Sequence, residues 1–113
     1  MNSFPKHSRL CGQERINGLY KSGRRFTSWP LRVTWQPADE TQVLVWAPKS
    51  LFKHAVDRNR LRRLMREAYR LNQERLGETH CEIAFNYIDK EKQTFAVIEK
   101  AVIKALKKIN GKS

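Results

Sequence analysis

The chain has 113 residues, and its 23 Lys and Arg outnumber its 11 Asp and Glu, which gives a formal net charge of +12 and a pI near 10.2. One domain of this size buries a modest core, and its positive field attracts polyanions: nucleic acid, an anionic membrane surface or an acidic protein. No apolar run is long enough to span a membrane and the N-terminus shows no signal peptide, so we expect a cytoplasmic protein with no membrane partner.

Residues 1–10 are polar and basic without periodicity, which indicates a flexible arm. No linker or internal repeat divides the remaining residues, so we expect a single domain over 11–113. Its two cysteines, Cys11 and Cys81, belong to no cluster with the spacing of metal ligands. We expect both to be free thiols in a reducing cytosol, although a disulfide between them is possible.

A helix and two strands are predicted in the first half of the domain. Apolar residues at helical spacing indicate a helix from Gln13 to about Ser22, and Gly23 is well placed to end it. Strict alternation over Leu31–Gln36 predicts a strand with one buried and one wet face. The continuous apolar run Val43–Trp46 suits a more buried, central strand.

The second half predicts a helix, a strand and a helix. From about Ala55 to Arg75, apolar residues recur at the spacing of one helical stripe, and they are Leu61, Leu64, Met65, Ala68 and Tyr69. Residues 83–88 predict a strand, and 95–109 a last helix that stops at Asn110-Gly111. The order of elements favours a small α+β or α/β sandwich around one sheet.

Six arginines crowd the predicted helix between Arg58 and Arg70. At about 100° per residue, most of them lie opposite the apolar stripe. Arginine suits a dense phosphate site, because its planar guanidinium pairs bidentately with phosphate oxygens and stays charged beside like charges. Few carboxylates stand one turn away to neutralise these side chains. A solvated basic face without a partner is the alternative, but the mutual repulsion of the arginines favours a face that binds a polyanion.

The same segment resembles a known family. The stretch Lys49–Arg70, with Arg58-Asn59-Arg60 followed by Arg62-Arg63, two apolar residues and Arg66-Glu67, is similar to the signature of the bacterial ribonuclease P protein subunit. The likeness extends over most of the chain, from the first helix to the last. It departs after the second predicted strand, where the family often has Ser-Lys-Lys and this chain has Lys49-Ser50 after a proline.

The resemblance implies an α-β-β-β-α-β-α sandwich of the α+β class with one central sheet and a left-handed crossover, the ribosomal S5 domain 2-like fold. It also implies a subunit of a ribonucleoprotein endoribonuclease that removes the 5′ leader from precursor tRNA. The partners are then a large catalytic RNA, which carries the chemistry in a 1:1 complex with a protein monomer, and the precursor tRNA. The protein itself binds no cofactor, and the RNA-based holoenzyme requires magnesium.

Two sets of site residues follow from the resemblance. The catalytic RNA is expected on Lys49, Lys53, Arg58, Asn59, Arg60, Arg62, Arg63 and Arg66. The leader is expected in a cleft between the first helix and the sheet, lined by Tyr20, Lys21, Phe26 and Trp35. Aromatic rings interleaved with cations are typical of surfaces that hold single-stranded nucleic acid. Tyr20 and Trp35 also fit a core position, and the face of the sheet that Trp35 joins stays open.

The residues contain no constellation for catalysis by the protein. The acidic residues are scattered, and neither zinc spacing nor a nucleotide-binding motif is present, so we expect no catalytic residue and no metal site. Two rival hypotheses share the charge and size: a non-enzymatic RNA-binding protein of the ribosomal type, and a DNA-binding module with the arginine helix in a major groove. Neither rival accounts for the signature as a unit.

Overall fold

The computed structural model of the chain describes residues 12–111, so the predicted arm over 1–10 and Cys11 lie outside the described residues. The elements are α1 Gln13–Ser22, β1 Arg24–Ser28, β2 Leu31–Pro37, β3 Gln42–Trp46, α2 Ala55–Asn72, a 3-10 turn Gln73–Leu76, β4 Cys81–Tyr87 and α3 Phe95–Ile109. Their order confirms the expected α-β-β-β-α-β-α arrangement. None of the helices within this described range is long and apolar enough to cross a membrane.

The four strands form one mixed sheet in the order β1-β2-β4-β3. Strands β1, β2 and β4 pair antiparallel, whereas β3 runs parallel to β4 and reaches it through α2. The prediction that Val43–Trp46 is a central strand is wrong, because β3 is an edge strand and β4 lies inside the sheet. The apolar run reflects burial on both faces of β3 rather than a central place in the sheet. Val43 and Val45 pack under the helices α2 and α3, while Leu44 packs on the opposite face beside α1.

Helices cover the two faces of the sheet unequally. The main core lies between the sheet and the pair α2 and α3, and its fully buried side chains include Phe85, Met65 and Leu106. On the other face α1 buries Leu19 against Ala84. It also buries Thr34, which is 1% exposed, so the predicted wet face of β2 is only partly wet.

Gly23 ends α1 for a different reason from the one that its position predicts. Its φ is −72°, so it does not adopt the left-handed conformation of many helix-ending glycines. A Cβ at this position would lie 2.6 Å from the Leu19 carbonyl oxygen and 2.9 Å from Cγ2 of Thr34. The glycine therefore lets the end of α1 approach β2 closely.

Two buried polar side chains tie the helices to the rest of the fold. Asn72 ends α2, and its Nδ2 donates to the Ala68 carbonyl at 2.8 Å and to Glu99 of α3 at 3.0 Å. Glu82 of β4 accepts from Arg15 of α1, with 2.5 Å between Nη2 and Oε2, and from Gln36 of β2 at 2.8 Å. These contacts fix α2 against α3 and α1 against the sheet.

Candidate nucleic-acid interfaces

Helix α2 presents its cations on the side away from the core. Leu61 and Met65 are fully buried against the sheet, whereas Arg60 and Arg63 are exposed. Arg62 and Arg66 lie half-buried between these two sides. We call the four arginines, together with Asn59, the arginine face. Lys49 and Lys53 are exposed in the loop before α2 and extend the positive charge beyond the start of the helix.

Arg58 and Arg70 are engaged with backbone carbonyls and a carboxylate of the protein itself. The Nη1 atom of Arg58 donates to the carbonyls of Phe52 at 2.8 Å and Lys53 at 3.0 Å, so Arg58 shapes the loop that carries both lysines. Arg70 pairs with Glu67 one turn earlier, with 2.5 Å between Nη2 and Oε2. This pair lowers the pKa of Glu67 and raises that of Arg70. The exposed cations Arg60 and Arg63 lie between these two arginines along α2.

The arginine face meets the sheet at Trp46. This residue ends β3, and 48% of its surface is exposed. The guanidinium of Arg62 lies over the indole, with its Cζ atom 5.6 Å from the ring centroid, and also donates to the Asn59 side chain. A cation over an indole face stabilises the pair by about 0.5–1 kcal/mol at exposed sites. One edge of the sheet thus carries an exposed aromatic ring directly beside the basic helix.

The α1 side of the sheet leaves one row of residues uncovered. The strand register aligns Thr27, Arg32, Asn86 and Trp46 across all four strands. Arg32 and Thr27 are exposed and Asn86 is half-buried, whereas the neighbouring row, which contains Thr34 and Ala84, is buried under α1. Position along the strand therefore decides which residues of this face remain open to a ligand.

Tyr20 forms the α1 wall of this open row. Its hydroxyl donates to Oδ1 of Asn86 at 3.0 Å, and desolvation by burial raises its pKa, so the side chain is a neutral donor near neutral pH. Its backbone carbonyl accepts from Arg25 of β1. We call Tyr20, Arg32, Asn86 and Trp46 the sheet groove. It offers two aromatic side chains and a cation on a shallow surface, which suits single-stranded nucleic acid.

Comparison with known proteins shows the family of the chain. The profile of the family described as Ribonuclease P matches residues 4–110 of the chain. The chain belongs to the ribonuclease P family. A ribonuclease P protein component from Porphyromonas gingivalis is 37% identical over 117 residues, which cover 94% of this chain and 85% of that protein.

Solved ribonuclease P proteins share the fold. The protein from Thermotoga maritima superposes with a TM-score of 0.77 at 20% identity, covering 89% of this chain and 96% of that one. The protein from Staphylococcus aureus gives a TM-score of 0.76 at 20% identity, covering 88% and 93%. The expected fold class is confirmed. Membership of the family makes the chain an RNA-binding, tRNA-processing protein that forms part of an endoribonuclease holoenzyme with an RNA partner.

The residues predicted for a ribonuclease P leader cleft do not form one surface. Tyr20 and the exposed Lys21 lie on α1, whereas Phe26 and Trp35 lie on the opposite face of the sheet and pack against the main core. Arg24 covers the Trp35 ring, with 5.5 Å from Cζ to the ring centroid. The single cleft predicted from the sequence is thus divided between two faces of the sheet.

Trp46 and Arg32 of the sheet groove are not among the site residues predicted from the sequence. Trp46 ends an apolar run that predicts a buried strand. Because side chains alternate along a strand, Trp46 points to the face opposite Val43 and Val45, and this alternation is the sequence signal that indicates its exposure. Within residues 12–111, no group of three His, Cys, Asp or Glu is placed to hold a metal ion. The buried acid Glu82 is occupied by Arg15 and Gln36.

Proposed function

We propose that the chain is the protein subunit of ribonuclease P, which binds a large catalytic RNA through the arginine face and the 5′ leader of precursor tRNA through the sheet groove. The observation that carries the proposal is the contact between Arg62 and Trp46, which makes the two surfaces continuous. The protein acts as a monomer in a 1:1 complex in the cytoplasm. The RNA carries out hydrolysis of the leader with magnesium bound to RNA and substrate.

The arginine face is suited to the phosphates of a folded RNA. Arg60 and Arg63 are exposed and paired with no carboxylate in the described part of the chain, so their guanidinium groups are available for bidentate contacts. Asn59 adds a side-chain amide beside them. Arg58 contributes indirectly, because it holds the carbonyls of the loop that presents Lys49 and Lys53.

The sheet groove is suited to an unpaired strand. A base stacked on the exposed indole of Trp46 gains about 1–3 kcal/mol, largely independent of its sequence. Arg32 lies one strand beyond Asn86 in the same row and provides a cation for the next phosphate. Lys21, exposed on α1, adds a second cation at the side of the groove. The groove therefore binds leaders of different sequence.

The experiment reconstitutes the chain with the catalytic RNA and measures binding and cleavage of labelled precursor tRNA. The protein alone is inactive at any magnesium concentration, whereas the complex cleaves at lower magnesium than the RNA does by itself. Trp46→Ala weakens affinity for precursor tRNA by about 1–3 kcal/mol and leaves affinity for mature tRNA unchanged. Leu71→Ala, which removes an apolar side chain of similar exposure (47%), is the matched control.

Two results would contradict this assignment. Equal loss for precursor and mature tRNA in Trp46→Ala would remove leader binding from the sheet groove. Tight binding to duplex DNA, with no effect on cleavage of precursor tRNA, would instead support the DNA-binding alternative for the arginine face.

A further inference from the structure

Helix α3 carries a second basic surface at the far edge of the sheet. Its lysines fall within about 100° of arc on the side away from the core, and they are Lys100, Lys104, Lys107 and Lys108. All four are exposed, and none is paired with a carboxylate in the described part of the chain. Glu99, on the α2 side of the helix, is bound to Asn72 instead. We call the four lysines the lysine edge.

Aromatic rings interleave with the lysine edge along β1. Trp29, in the turn between β1 and β2, is 56% exposed and lines a cavity of about 320 Å³ together with Val97, Lys100 and Lys104. One turn further along α3, the ammonium of Lys108 lies 4.7 Å from the centroid of the Phe26 ring. Cations and rings thus alternate on this edge, as they do at the sheet groove.

The lysine edge continues the sheet groove. The open row runs from Trp46 on β3 to Thr27 on β1, which is three strand spacings or about 14 Å. Trp29 follows Thr27 by two residues, at the same end of the sheet. A single-stranded RNA that crosses the open row from the β3 edge therefore leaves the row at the turn that presents Trp29.

We propose that the distal part of a long 5′ leader passes over the β1–β2 turn and binds the lysine edge, with one base on Trp29 and phosphates on Lys100 and Lys104. The inference rests on the proposed function of the sheet groove and extends it to residues on the other side of the sheet. The occupant is single-stranded RNA, because an exposed indole contributes by stacking on an unpaired base and the lysines neutralise successive phosphates.

The geometry favours the leader over the catalytic RNA as the occupant. The arginine face lies beside β3 and the lysine edge lies beside β1, at opposite edges of the sheet. Helices α2 and α3 pack side by side on one face of the sheet, so a segment of the catalytic RNA seated on the arginine face has to cross both helices to reach the lysine edge. The leader, in contrast, already crosses the sheet in the groove and arrives at Trp29.

The experiment compares holoenzyme binding to precursor tRNAs with leaders of about four and about twelve nucleotides, and to mature tRNA. Trp29→Leu weakens binding of the long leader about tenfold, while Trp29→Phe, which keeps a ring for stacking, restores most of it. The double change Lys100→Ala and Lys104→Ala flattens the slope of log K against log salt by about 1.4, or about 0.7 for each phosphate contact. The short leader and mature tRNA show neither change.

Controls separate this proposal from the one it rests on. Lys90→Ala removes one exposed lysine that Asp89 and Glu91 flank, and leaves the slope unchanged. If Trp46→Ala weakens both precursors but Trp29→Leu weakens neither, the lysine edge alone is refuted. If Trp46→Ala weakens binding of neither precursor, leader binding in the sheet groove is refuted. The proposed path of the leader from the groove to Trp29 is then refuted as well. Equal losses in Trp29→Leu for the long leader, the short leader and mature tRNA would overturn the proposal by placing another RNA on this edge.

Discussion

Replacing Gly23 with alanine tests whether the end of α1 is held against the sheet as closely as the structure shows. The backbone at Gly23 has φ −72° and ψ 159°, which alanine adopts without strain. On conformational entropy alone the substitution would stabilise the protein by about 0.4–1 kcal/mol, because alanine restricts the unfolded chain. The sign of the measured effect therefore depends on the contacts of the added methyl group.

The backbone as it stands leaves no room for the added methyl group. The new Cβ would lie 2.6 Å from the Leu19 carbonyl oxygen, 2.9 Å from Cγ2 of Thr34 and 3.0 Å from Cδ1 of Leu19. The nearest of these neighbours is backbone, so α1 has to move by several tenths of an ångström. Overpacking of this kind costs about 1–3 kcal/mol, which exceeds the entropic gain. We expect a net loss of about 1–2 kcal/mol, or a fall in Tm of about 4–8 °C for each kcal/mol.

Gly18→Ala is the matched control on the same helix. Nothing lies within 4 Å of a Cβ at Gly18, which occupies the interior of α1, so alanine there stabilises the helix by about 0.5–1 kcal/mol. Thermal unfolding by circular dichroism measures both variants. A rise in Tm for Gly23→Ala similar to that of Gly18→Ala would refute the close approach of α1 to β2. Because α1 carries Tyr20, the displaced helix should also weaken precursor binding without changing affinity for the catalytic RNA.

Three further predictions concern the arginine helix α2, the hydroxyl of Tyr20 on α1 and the buried thiol of Cys81. Arg63→Ala weakens binding to the catalytic RNA by about 1–3 kcal/mol with little change in Tm, which a filter-binding titration measures. Met65→Ala, at a fully buried position, lowers the free energy of unfolding by about 2–5 kcal/mol, which a urea melt measures. Tyr20→Phe removes the hydroxyl that donates to Asn86, which lowers stability by about 1 kcal/mol in a urea melt, and unchanged stability would contradict the hydrogen bond. Burial raises the pKa of Cys81 from 9.0 to about 12, so above about pH 9 the folded state keeps a thiol proton that the unfolded state releases. The free energy of unfolding therefore falls as the pH rises above about 9. A series of melts from pH 8 to 10.5 shows a smaller fall for Cys81→Ala than for the unchanged protein.

The elements were predictable wherever a single stretch of sequence determines them. Helix α1 occupies the predicted range, and the apolar stripe of α2 is buried at Leu61, Met65 and Ala68. The position of β3 was not predictable from its own residues, because an apolar run records how much of a strand is covered rather than how many neighbours it has. Strand order is decided by the crossover through α2, which involves residues far apart in the chain.

The candidate site shows the same division between local and non-local information. The arginine face is a property of one helix and follows from its period. The leader cleft requires knowing which face of the sheet α1 covers, and alternation in β2 defines two faces without assigning a helix to either one. The sequence therefore predicts Phe26 and Trp35 in the leader cleft, although their face of the sheet packs against the main core.

The parallel pairing of β3 with β4 explains why the two proposed RNA surfaces adjoin. Since β3 enters α2 after eight intervening residues, 47–54, the last residue of the edge strand and the first turns of the helix lie at the same end of the sheet. Arg62 can then cover Trp46, and Arg58 can hold the connecting loop. An antiparallel β3 would place Trp46 at the opposite end of the sheet from Asn86, and the start of α2 would then lie away from the sheet groove. Continuity between the basic helix and the groove thus results from the topology, and a change that loosens this connection should weaken both binding surfaces together.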